Sequence, residues 1–111
     1  SNGANIAASL LLTHPSVLAG AILLRPMVPF TPSDPAALAG TLNKTHVLIL
    51  SGRSDAMTPA DHPPRLENIL RTAGATVQRT NLPAGHELTA QDLSAASQWL
   101  NDKARPWNLS A

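Results

Sequence analysis

The sequence predicts an α/β fold in which three parallel strands are covered by helices on both faces. Two short runs, 21–24 and 47–50, are continuously apolar, which is typical of strands that are buried on both faces of a parallel sheet. Apolar residues at helical spacing follow the second run at 63–73 and recur near the end of the chain. Buried strands that alternate with amphipathic helices indicate a parallel sheet with helices on both sides.

The first half of this pattern consists of a helix, a strand and a long connection. Residues 3–13 are rich in alanine with apolar residues at helical spacing, and they predict a helix that ends at His14-Pro15. The strand over 21–24 is stopped by Arg25-Pro26. The proline-rich stretch 25–43 predicts a long connection, with a turn of helix at Pro35–Leu38.

The second half predicts a helix, an edge strand and a final helix. Residues 63–73 have prolines near the start and Gly74 just past the end, which is the usual asymmetry of a helix. Residues 76–82 alternate between polar and apolar, as expected of a strand at a sheet edge. The last helix begins near Thr89, with Asp92 at capping-box spacing. Its predicted apolar face consists of Leu93, Ala96, Trp99 and Leu100.

Composition narrows the possible classes of function. The chain has 111 residues, of which 43% are hydrophobic and 14% charged, as in one packed domain or part of one. A net charge of +1 with scattered arginines disfavours nucleic acid as a partner. The chain has no cysteine, and no apolar run approaches the roughly 20 residues of a membrane span. We expect a cytoplasmic protein.

Three residues that could act together in catalysis lie next to the predicted strands and helices, in the loops between them or at the start of the chain. Asp55 and His86 follow the second and third predicted strands, and Ser1 precedes the first predicted helix. Reactive groups gather at the carboxyl ends of parallel strands, so these side chains are expected to converge. A neutral serine needs a base to accept its proton during attack on an acyl carbonyl. His86 would be that base, and Asp55 would orient its imidazole.

Each of these residues also has a simpler interpretation. Asp55 alone could be a turn or capping residue, His86 alone could be an ordinary loop histidine, and a Ser-Asn start is also what removal of an affinity tag leaves. The other histidines are scattered without the spacing of metal ligands, so no metal site is predicted. The backbone N–H of Asn2, next to the candidate nucleophile, would supply one oxyanion donor.

Four stretches in order carry a resemblance to a known family: Ser1–Asn5, Leu23–Met27, Leu48–Asp55 and Gly85–Thr89. Together they resemble the phospholipase/carboxylesterase family of α/β-hydrolases, in which a Gly-x-Ser-x-Gly turn holds the nucleophile after a strand. The stretches span nearly all of this chain but only the later half of a typical member. The resemblance therefore implies that residues 1–111 are a partial α/β-hydrolase domain, the C-terminal half, from the nucleophile turn onward.

The resemblance implies hydrolysis of small-molecule carboxylic esters or thioesters through an acyl-enzyme, with no cofactor. It assigns Ser1 as the nucleophile, Asp55 as the acid and His86 as the base. The second oxyanion donor comes from an earlier loop in such enzymes, so the fragment alone is expected to be impaired, by about 10²–10³ in rate. The residues that would line the substrate pocket are Arg25, Pro26, Met27, Val28, Phe30 and Met57.

A different class of function stays open from the sequence: a non-catalytic fragment, or an assembly or binding module of α/β fold. In the family's sheet, the strand over 21–24 would pair with a strand ahead of Ser1. Its apolar edge would otherwise be a template for another chain. We expect that edge to be covered by the missing N-terminal half or by a second copy.

Overall fold

The computed structural model describes residues 20–29 and 32–109. Its elements are β1 (Gly20–Leu24), a 3₁₀ turn (Pro35–Leu38), β2 (His46–Gly52), α1 (His62–Thr72), β3 (Thr76–Leu82) and α2 (Ala90–Leu109). These elements confirm the predicted order from the first strand onward, including the helical turn in the long connection. The helix predicted over 3–13 lies outside the described residues. No helix in the described ranges is both long enough and apolar enough to cross a bilayer.

The three strands form one parallel sheet in the order β1-β2-β3, as predicted. The central strand β2 pairs with both neighbours and is buried along Val47–Ser51. β3 alternates between buried and exposed positions over its first residues, and within residues 20–29 and 32–109 it pairs with β2 alone, as predicted for an edge strand. The sheet therefore brings the carboxyl ends of all three strands to one edge.

Each face of the sheet is covered by a different helix. Val47 and Ile49 point to one face, where they pack in a cluster with Leu66 and Leu70 of α1. The intervening Leu48 and Leu50 point to the other face and pack with Trp99 of α2. Because side chains alternate along a strand, a continuously apolar β2 supplies both cores at once. This arrangement confirms the predicted α/β architecture.

The helix α1 begins and ends as the sequence predicts. Pro63 and Pro64 lie in its first turn, where a missing N–H leaves no hydrogen bond unmade. At the other end Gly74 has a φ of 104°, and its N–H donates to the carbonyl of Arg71. The next N–H, from Ala75, donates to the carbonyl of Leu70, which completes a Schellman motif. The turn delivers the chain directly into β3.

The helix α2 is rotated differently from the prediction. Trp99 is buried as predicted, and partly buried Ala96 packs beside it. Leu93 and Leu100, which were expected on the same buried face, are 70% and 48% exposed. The inward direction is set by Asp92 and Trp99, which are seven residues apart and therefore aligned along the helix. Leu93 and Leu100 each come one residue later, which turns them away by about 100°.

We predict that Leu70→Ala destabilises the complete protein by about 2–5 kcal/mol, because it removes a fully buried side chain from the α1 core. Urea unfolding followed by circular dichroism measures the change. Leu93→Ala removes the same atoms from an exposed site, and we expect it to change stability by less than about 0.5 kcal/mol. Equal effects of the two substitutions would contradict the burial described for α1 and α2.

Candidate active site

Two loops leave the carboxyl edge of the sheet side by side. Residues 53–61 follow β2 and residues 83–89 follow β3. Their first residues are tied together by backbone hydrogen bonds: the N–H of Arg53 donates to the carbonyl of Leu82 at 2.8 Å, and that of Ser54 to Ala84 at 3.0 Å. The parallel pairing of β2 and β3 thus continues past the strand ends. It carries Asp55 and His86 into the same region.

Gly52 allows the two loops to approach this closely. A Cβ atom at this position would collide with the backbone carbonyl oxygens of Ala84 and Gly85. These are backbone atoms, so relief would require the loop that carries His86 to move. A glycine at the end of β2 is therefore a steric requirement of the site.

The structure brings Asp55 and His86 into direct contact. His86 Nδ1 lies 3.0 Å from Asp55 Oδ2, and the side chains of the two residues are 21% and 4% exposed. The other carboxylate oxygen, Oδ1, accepts hydrogen bonds from the backbone N–H groups of Met57 at 2.9 Å and Thr58 at 3.2 Å. Asp55 is thus both a turn residue and a histidine partner. The two interpretations left open by the sequence apply to different oxygens of one side chain.

These contacts determine the protonation state of Asp55. Burial by itself raises the pKa of this carboxyl group, but the hydrogen bonds from His86, Met57 and Thr58 outweigh burial and lower the pKa below its usual value. Asp55 is therefore ionised at neutral pH.

The pair has the geometry of an oriented general base. An ionised carboxylate can only accept hydrogen bonds, so His86 Nδ1 must carry the proton that lies between them. In neutral imidazole this leaves Nε2 as a proton acceptor. A carboxylate in this position also stabilises the imidazolium that forms when Nε2 takes up a proton. The arrangement can move a proton to and from a group placed next to Nε2.

Of the other predicted site residues, some lie outside the described residues, some line a cavity beside Asp55, and some do not. Ser1, Asn2 and Phe30 lie outside the described residues. A cavity of about 110 Å³ beside Asp55 has Arg25 and Pro26 in its wall. Met27, Val28 and Met57 do not line that cavity. Val28 packs against the α1-side core, and Met57 is largely exposed.

Two polar contacts in this region were not predicted from the sequence. The guanidinium of Arg25 is buried and forms an ion pair with Asp92, at 2.7 Å from Nη1 to Oδ1. His62 Nδ1 accepts a hydrogen bond from the backbone N–H of Val28 at 3.1 Å, which attaches the connection after β1 to the start of α1. Partners 67 and 34 residues apart leave no local pattern by which either contact could have been found. Within the described ranges, no three His, Asp or Glu side chains are grouped so that they could hold a metal ion.

Comparisons with known proteins identify relatives of the same fold. No protein-family model matches the chain. The chain is 37% identical over 102 residues to the Bacillus subtilis (strain 168) protein named "Putative hydrolase MhqD". The aligned residues make up 92% of this chain and 49% of that protein. Among solved structures, a Bacillus cereus carboxylesterase matches with a TM-score of 0.80 and 37% identity. A Mesorhizobium loti carboxylesterase matches with a TM-score of 0.78 and 36% identity.

The structural matches cover most of this chain and about half of each matched protein. For the two carboxylesterases, the match covers 91% and 90% of this chain but 46% of the other protein. The chain thus spans about half the length of the relatives that it matches. Over that segment, three parallel strands with their helices follow the same path as in these enzymes.

We predict that Gly52→Ala disturbs both loops, because its Cβ can be accommodated only if the backbone at Ala84 and Gly85 moves. The expected loss of stability is about 1–3 kcal/mol, measured by urea unfolding. The His86 Nδ1 proton resonance should also shift or broaden in NMR spectra of the complete protein. Gly85→Ala is the matched control, since a Cβ there would make only ordinary contact with the carbonyl oxygen of Ser54, at 3.9 Å. An unchanged Nδ1 resonance in Gly52→Ala would contradict the steric role.

Proposed function

Because this chain is an α/β-hydrolase segment of the carboxylesterase type, we propose that it holds the nucleophile, acid and base of a serine hydrolase. The proposed reaction is hydrolysis of carboxylic esters or thioesters through an acyl-enzyme. The observation that carries the proposal is the 3.0 Å contact between His86 Nδ1 and the ionised, buried Asp55. The cytoplasmic location expected from the sequence stays a prediction.

In the proposed mechanism, the Ser1 hydroxyl attacks the carbonyl carbon of the substrate while His86 Nε2 accepts its proton. The tetrahedral intermediate collapses when the imidazolium returns that proton to the leaving alcohol or thiol. Water then attacks the acyl-enzyme with the same base, which releases the acid and regenerates Ser1. Asp55 holds the imidazole tautomer throughout and stabilises its charged form. The backbone N–H of Asn2 donates one hydrogen bond to the oxyanion.

The substrate would occupy the region next to the connection after β1. The exposed side chain of Met57, two residues after Asp55, supports this part of the proposal. The cavity that has Pro26 in its wall is not lined by His86 and lends it no support. Met27, Val28 and Phe30 belong to the same proposed pocket. Arg25 offers the substrate neither a free charge nor an accessible surface, since its guanidinium is paired with Asp92 and its side chain is 1% exposed.

A role in assembly is favoured by the pairing of the sheet. β1 pairs with β2 on one side, and within residues 20–29 and 32–109 no strand pairs with its other edge. We propose that this edge is covered by a further strand of the complete protein or by a second copy, because an unpaired apolar strand recruits other strands.

We predict that a fluorophosphonate probe labels Ser1 in the complete protein, and that His86→Ala abolishes the labelling. The reason is that the hydroxyl is a weak nucleophile without its base. Asp55→Asn should lower kcat by about 10⁴, because the amide favours the wrong imidazole tautomer. Peptide mapping of the labelled protein and hydrolysis of short p-nitrophenyl esters are the measurements. Absence of labelling at Ser1 in a well-folded complete protein would overturn the nucleophile assignment.

We predict that the β1 edge is protected in solution. The N–H of Arg25 donates to Leu50 of β2, so in a parallel strand the N–H groups of Leu24 and Ile22 point to the opposite edge. Hydrogen exchange of these two amides in the complete protein should be slow. Light scattering at the same concentration gives the molar mass, which shows whether the strand that pairs with β1 belongs to the same molecule or to a second copy. Rapid exchange in a stable monomer would refute the proposal.

A further inference from the structure

Arg25 occupies an unusual position at the carboxyl edge of the sheet. It is the first residue after β1 and has a φ of 54°, in the left-handed region that residues other than glycine seldom adopt. Its side chain is 1% exposed, although an arginine is almost never fully buried unless it is paired. Such a backbone conformation persists where surrounding contacts fix it. The contacts made by the guanidinium supply that constraint.

The guanidinium holds the loop of the candidate base on both sides of His86. Arg25 Nε donates to the carbonyl oxygen of Gly85 at 2.8 Å, and Nη2 donates to that of Glu87 at 3.2 Å. These carbonyls belong to the residues immediately before and after His86. Fixing both of them fixes the peptide groups that flank the His86 Cα, and therefore the direction in which its imidazole leaves the backbone.

The same residue is attached to the strand that leads to Asp55. Its backbone N–H donates to the carbonyl of Leu50 at 2.8 Å, and its Nη1 donates to the same oxygen at 3.2 Å. Leu50 is buried near the end of β2, five residues before Asp55. Arg25 thus links the segment that carries the acid to the loop that carries the base.

Asp92 determines the orientation of the guanidinium. Its two carboxylate oxygens accept from Nη1 at 2.7 Å and from Nη2 at 2.9 Å, a bidentate geometry that a lysine cannot reproduce. Asp92 Oδ2 also accepts from the backbone N–H and the hydroxyl of Thr89, at 2.8 and 3.0 Å. The hydrogen bonds from Arg25 lower the pKa of Asp92 against the effect of burial, with a further contribution from Thr89, so the carboxylate stays charged.

We propose that Arg25, oriented by Asp92, is a positioning residue that sets the imidazole of His86 against Asp55 and the nucleophile. This inference rests on the proposed serine hydrolase function, within which it assigns a role to a residue first expected in the substrate pocket. Arg25 does not touch the reacting atoms. Its loss should therefore lower kcat and leave KM nearly unchanged, since a misplaced base weakens the transition state and not substrate binding.

The first test replaces the planar guanidinium of Arg25 with the single ammonium group of lysine, which keeps the positive charge and loses the bidentate geometry. Arg25→Lys in the complete protein is expected to lower kcat on a p-nitrophenyl ester by about 10²-fold, as a displacement of roughly 1 Å does at a reacting group. KM should stay within about twofold, the pattern expected when only transition-state interactions are lost. The His86 Nδ1 proton resonance should move. Leu70→Ala is the stability-matched control: it weakens the α1 core away from this loop and should alter neither kcat nor that resonance at a temperature where it is folded.

The second test separates positioning from the burial of a charge. The double variant Arg25→Met with Asp92→Leu leaves no unpaired charge behind, and replacement of a whole buried ion pair by apolar residues is often tolerated. We expect it to fold and yet to keep the low kcat, because the carbonyls of Gly85 and Glu87 have lost their donor. Wild-type kcat in a folded double variant would overturn the proposal. If the double variant does not fold, Arg25→Lys decides: wild-type kcat and an unmoved Nδ1 resonance overturn the proposal.

Failure of the proposed function gives a different result. If the wild-type complete protein is not labelled at Ser1 and does not hydrolyse the ester, the serine hydrolase assignment fails. The His86 Nδ1 resonance still reports on the contact with Asp55 in that case. A resonance that moves in Arg25→Lys, but not in Leu70→Ala, would keep Arg25 as the residue that positions His86. An unmoved resonance would remove that role as well.

Discussion

The buried ion pair between Arg25 and Asp92 is the interaction on which the carboxyl edge of the sheet depends. Arg25 follows β1, contacts the end of β2 and holds the loop after β3, while Asp92 belongs to the first turn of α2. A charge buried to this degree is stable only with a partner of good geometry, because removing one member leaves the other desolvated, at a cost of about 3–5 kcal/mol. The loops of the site are thus held by an ion pair in which neither charged side chain can be buried stably without the other.

The same pair explains how α2 lies on the sheet. Asp92 must face inward to reach the guanidinium, and Trp99, seven residues later, then faces inward as well. Trp99 packs against Leu48 and Leu50 on that face of the sheet. The hydrophobic contact and the ion pair therefore require the same rotation of the helix. Leu93 lies outside the buried face because a polar anchor, and not the widest apolar stripe, sets the rotation.

Close backbone approach is the second constraint on the site. Gly52 lets the ends of β2 and β3 run together beyond the sheet, and this approach delivers His86 to Asp55. Asp55 uses one oxygen to shape its own loop and the other to hold the imidazole. The loop conformation and the contact with His86 therefore depend on each other. Local turn chemistry and the long-range pair are satisfied by the same ionised carboxylate.

The sequence by itself determined the α/β class, the element order from β1 onward and the positions of Asp55 and His86 just after strands. These features are local, since periodicity, proline and glycine positions and the Thr89–Asp92 spacing act over a few residues. Only the tertiary structure decided that Arg25 pairs with Asp92, 67 residues away, and that Gly52 lies against the loop of His86. Such contacts depend on how the parallel strands align in space, and neither composition nor spacing encodes that register.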